Sequence, residues 1–87
     1  HATVLHYTAA RGALAAGDLL LVDAGAEWEL FTGDITRTYP VSGRFMPAQR
    51  EAYAIVLAAN EAGIAAATVG RSLDDVHLAS LRVLCDG

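Results

Sequence analysis

Two carboxylates, Asp23 and Asp34, stand eleven residues apart within the stretch DLLLVDAGAEWELFTGDITRTYPVSGR at positions 18–44. Asp23 closes an apolar run at 19–22 that reads as a buried strand. Asp34 opens a second run at 35–41, where Ile35, Arg37, Tyr39 and Val41 alternate with Thr36, Thr38 and Pro40. Both runs favour β structure, and Gly25 and Gly33 punctuate the space between them. A hairpin reversing near Trp28 and Glu29 would set Asp23 opposite Asp34, and opposed residues project from one face with Cβ atoms roughly 4.5–5.5 Å apart. Two aspartates that close repel unless one takes up a proton or a cation sits between them, and a divalent cation is the simplest answer. Two other readings stay open. Trp28-Glu29 lacks the Asn-Gly or Gly-X chemistry of a tight turn, so a longer loop or a bulge at either glycine could shift the register. Both aspartates could also cap strand ends and face water.

The elements that must position this pair follow from pattern. Residues 2–8, ATVLHYT, read as a strand carrying His6, and 9–17 as an alanine- and glycine-rich loop broken by Gly12 and Gly17. Pro47 sits at a helix start, and a helix extends from it to about Thr68, with Ala52, Ile55, Val56, Ala59 and Gly63 as its apolar stripe. Tyr53, Leu57 and Ile64 widen that stripe, so the helix should pack on two sides, with close packing against a sheet offsetting the cost of Gly63. Val69-Gly70 stops it. A second helix starts at Ser72, where Asp75 can complete a capping box, and buries Leu73, Val76, Ser80, Leu81 and Leu84. His77 lies beside that stripe as a surface residue, and Cys85 reads as a small core residue. Strands followed by helices give an α+β fold: an antiparallel sheet with two helices on one face.

Composition excludes several classes. Six basic residues, all arginine and unclustered, with a net charge of −4, argue against a nucleic-acid surface. No apolar run is long enough to cross a bilayer, and residues 1–12 lack the basic segment and apolar core of a signal peptide. One cysteine cannot form an internal disulfide, which fits a reducing compartment, with the cytoplasm the expected location.

The motifs HYT at 6–8, GDLLLVDAG at 17–25 and GDITRTYPVSGRF at 33–45, with the helix opening PAQREAY and the later VGRSLDDVH, resemble the metallopeptidases of pita-bread fold. The match is closest to Xaa-Pro aminopeptidases (aminopeptidase P) and Xaa-Pro dipeptidases, and it runs over essentially all 87 residues. The resemblance implies two divalent metal ions held by two aspartates, one histidine and two glutamates. Manganese is the metal it implies most often, with cobalt, magnesium or zinc as alternatives. Asp23 matches the first aspartate, Asp34 the bridging one, and His6 a histidine that orients the scissile peptide group or the developing oxyanion. His77, Glu51 and Glu61 match none of the remaining ligands, which the resemblance places beyond residue 87. On this reading 1–87 is a partial catalytic domain, the N-terminal half of the pita-bread domain. It is expected to be inactive alone and to meet its apolar surface with a second copy or the C-terminal half. The implied substrate is a peptide with proline in second position. A non-catalytic binding protein on the same scaffold, a Xaa-Pro dipeptidase, a creatinase-like hydrolase and a methionine aminopeptidase are the alternatives.

Overall fold

A computed structural model describes residues 11–87; the strand expected at 2–8, and His6 with it, lies outside the described residues. The chain forms two compact units, the first running through Phe45 and the second spanning Met46–Gly87. The fold class is α+β. Antiparallel strands β1 (Leu19–Ala24), β2 (Glu27–Trp28), β3 (Phe31–Thr32) and β4 (Ile35–Pro40) precede helices α1 (Pro47–Ala66) and α2 (Leu73–Asp86).

In the first unit β1 pairs with β4 and β2 with β3. One register carries through both ladders, from Leu19 opposite Pro40 to Trp28 opposite Phe31, bridged by Gly33 N–H donating to the Ala26 carbonyl at 2.9 Å. These strands form one hairpin whose loop is Glu29-Leu30. Both loop residues have positive φ, 50° and 70°, as a type I′ turn requires at its two central positions. The sequence argument placed the reversal one residue earlier, at the position that sets Asp23 opposite Asp34, and residue type did not mark Glu29-Leu30 as the turn, since neither is Gly, Asn or Asp. The turn is held by the Leu30 N–H donating to Glu27 Oε1 at 2.7 Å. Left-handed backbone costs a side-chain-bearing residue roughly 1–2 kcal/mol. Leu30 is 93 % exposed, so little burial is lost on replacing it. The double variant Glu29→Asn/Leu30→Gly should therefore gain about 1–2 kcal/mol, read as a higher urea midpoint at unchanged slope. An unchanged midpoint would show that the turn carries no such strain.

The expected burial of the 19–22 run does not hold. Leu21 is 60 % exposed and Leu19, Leu20 and Val22 are also exposed. A run apolar on both faces is the pattern of a strand covered from both sides, and the described part of this unit is a ribbon of paired strands only. Its start is set by a turn in which the Asp18 N–H donates to the Ala15 carbonyl at 3.0 Å, with Gly17 at φ 95° in the third position.

The second unit is a helical hairpin. Pro47 opens α1 where no N–H is needed, and the Gln49 side chain accepts from the Met46 N–H at 3.0 Å. Ser72 caps α2 by accepting from the Asp75 N–H at 3.2 Å, while Asp75 accepts from the Ser72 N–H at 2.9 Å. The Ser72 backbone N–H first, and then a hydrogen bond with the Ser72 side chain, hold the Asp75 carboxyl below its ordinary range. The seam between the helices is made of small residues. Ala59 and Gly63 are buried on α1, and Val76, Ala79, Ser80 and Val83 are half-buried on α2. A Cβ at Gly63 would run into the Ser80 hydroxyl, so the close approach of α2 requires glycine at this position. Leu73, Leu81 and Leu84, expected in the stripe, are exposed, as is Cys85, and Val56, Leu57 and Ile64 form a second, uncovered apolar side of α1.

Candidate functional site

Asp23 is the fifth residue of β1, and its partner across the ladder is Thr36, not Asp34. Moving the turn by one residue along the chain shifts every cross-strand partner by two. A shift of two keeps each side chain on its own face, because strand side chains alternate with period two. Asp34, two residues before Thr36, therefore stays on the side that Asp23 faces, at the diagonal position instead of the opposed one.

The two carboxyls do meet. Asp34 is held above the ordinary carboxylate range, first by a side-chain hydrogen bond with Asp23, then by the charge of Asp23, and least by desolvation. That is the behaviour of two acidic groups sharing one proton. On the other side of Asp23, the Thr36 hydroxyl donates to Oδ1 at 3.0 Å. Arg37, next along β4, alternates to the opposite face, and its guanidinium donates to the Thr36 carbonyl at 2.8 Å. The pair lies midway along the hairpin, where the β1–β4 ladder gives way to β2–β3, and is exposed to water.

What brings the carboxyls together is the close approach of the backbone behind them. A Cβ at Gly25 would collide with the Gly33 carbonyl oxygen and lie 2.7 Å from its carbon, so the strands can only close this tightly at a glycine. The sequence argument treated Gly25 and Gly33 alike, as punctuation, and did not single out Thr36. The alternation of 34, 36 and 38 on one face, taken with a register two residues further on, was the signal that could have found it.

Two hard oxygen donors set this close suit a hard divalent cation such as manganese or magnesium. The donor set is short, since among the described residues no group of three or more His, Cys, Asp or Glu side chains converges. Glu51 and Glu61 on α1 and His77 on α2 are exposed and join no such cluster. His6 lies outside the described residues. No described helix is long and apolar enough to cross a membrane.

A model of metallopeptidase family M24 matches residues 1–87. The chain is 51 % identical to Xaa-Pro aminopeptidase 2 of Streptomyces coelicolor, over 97 % of this chain and 18 % of that protein. It is 41 % identical to the Xaa-Pro aminopeptidase of Haemophilus influenzae, over 100 % of this chain and 20 % of the relative. Among solved structures, a histidine-to-alanine variant of Escherichia coli aminopeptidase P superposes with a TM-score of 0.88 at 42 % identity, over 95 % of this chain and 19 % of that one. The chain therefore spans about a fifth of the length of the relatives it matches.

Proposed function

The chain belongs to metallopeptidase family M24, and from that membership we propose that it forms part of the catalytic domain of an Xaa-Pro aminopeptidase. Such an enzyme removes an N-terminal residue that precedes proline. The observation that carries the reading is the meeting of Asp23 and Asp34 on one face of the hairpin, in a chain 41–51 % identical to Xaa-Pro aminopeptidases. Asp23 and Asp34 would hold divalent metal, with manganese the expected ion and two ions the expected number. When bound, the metal supplies Lewis-acid polarisation of the scissile carbonyl and activation of water.

The chain's own residues do the rest of what is assigned to 1–87. Both carboxyls would hold the cation in their ionised form, so metal loading should strengthen as pH rises through their titration. His6 orients the scissile peptide group through a hydrogen bond to it. The exposed apolar side chains of β1 and of α1 are covered by segments outside 1–87 or by a second copy. The working compartment is the cytoplasm.

The direct test is cleavage of an Xaa-Pro peptide by the full-length protein that carries this sequence, with manganese and then with excess chelator. Release of the N-terminal residue that stops on chelation and returns with manganese is the expected result. Chelator-insensitive cleavage, or none, would overturn the reading. Residues 1–87 alone, with two carboxylates in place of a full ligand set, should give no turnover under the same conditions.

A further inference from the structure

We propose that Thr36 is the positioning residue for Asp23: its hydroxyl fixes the carboxylate so that the remaining lone pairs meet the metal. The proposal rests on the metal reading of Asp23 and Asp34 above. Thr36 stands directly across the ladder from Asp23, and its Oγ1 donates to Oδ1 at 3.0 Å. A carboxylate on an exposed strand otherwise samples several rotamers, and ordering it only when the cation binds would cost affinity. Threonine suits this task. Its β-branch restricts χ1, so the hydroxyl is held over its neighbour by the backbone. That backbone is itself pinned, since the Arg37 guanidinium donates to the Thr36 carbonyl at 2.8 Å. This donation cannot be supplied by Asp34, which is an acceptor only once both carboxyls are ionised.

The ordinary alternative is a cross-strand pair that only steadies the hairpin. The two roles separate by comparing affinity with stability. Manganese is titrated calorimetrically into the full-length protein and into Thr36→Val, Thr36→Ser, Thr38→Val and Asp23→Asn variants, each also melted without metal. Thr38 lies on the same face, opposite Leu21, and controls for loss of a strand hydroxyl. Partners that orient metal ligands typically account for about 10–100-fold in affinity. Thr36→Val should weaken binding by about tenfold or more, with Thr36→Ser recovering most of it and Thr38→Val unchanged. If wild type and Asp23→Asn bind alike, the metal reading itself fails. If Asp23→Asn loses binding while Thr36→Val binds as wild type, the positioning role is overturned. Should Thr36→Val not fold, Thr36→Ala takes its place, and wild-type affinity there overturns the proposal equally.

Discussion

In the Asp23→Asn variant of the full-length protein, chelator-sensitive cleavage of an Xaa-Pro peptide should fall by about three orders of magnitude, and manganese binding should be lost with it. A metal that polarises the scissile carbonyl contributes several kcal/mol to the transition state, at 1.36 kcal/mol for each tenfold in rate. Asparagine keeps the shape of the side chain and its bond from Thr36 but removes one of the two anionic donors. The same substitution has a second readout without metal. Asp34 owes its raised position to Asp23, first by the hydrogen bond and then by charge, so in Asp23→Asn its carboxyl should return toward the ordinary range in a carboxyl-resolved NMR titration. The sign for stability follows. Folded Asp34 binds its proton more tightly than unfolded Asp34, so this group's contribution is fully present below the unfolded pKa and is lost as pH rises through the folded one. Metal-free protein should accordingly gain stability on acidification through that window, and saturating manganese should reverse the trend by replacing the proton. An Asp34 titration indifferent to Asp23→Asn would mean that the carboxyls do not interact.

The face of this site was legible in the sequence and its partner residues were not. Period-two alternation puts 34, 36 and 38 on one side whatever the register, and moving a turn by one residue changes partners by two, which preserves that side. The location of the turn was hidden because Glu29 and Leu30 take left-handed backbone against their preference, so residue type misdirects. The helix boundaries were legible because their signals are local, with Pro47 opening α1 and Ser72 with Asp75 opening α2. The seam between the helices was not. The large apolar residues Leu73, Leu81 and Leu84 draw the eye and are exposed, whereas Ala59 is buried and Gly63 packs against Ser80 and Val76, because small side chains let two helices approach. Hydrophobicity marks what needs cover, and size decides what is touched inside this unit.

The same distinction between looking alike and acting alike governs the two glycines beside the carboxylates. Gly25→Ala should cost about 1–3 kcal/mol in hairpin stability, the range for overpacking, and weaken manganese binding at least about tenfold. Its new Cβ meets the Gly33 carbonyl, a backbone group that cannot rotate aside, so the strands must part where Asp34 follows Gly33 in the chain. Asp23, two residues before Gly25 on the other strand, then loses its fixed separation from Asp34. Gly33→Ala is the counterpart. Its Cβ would lie 3.8 Å from the Ala26 carbonyl oxygen, an ordinary contact, so stability should stay within about 0.5 kcal/mol and affinity should be unchanged. Chemical denaturation and manganese calorimetry on the pair check both halves. Equal effects from the two substitutions would mean that the close approach at Gly25 does not set the carboxylate spacing, and the geometry of the site would then rest on Thr36 and the β1–β4 register alone.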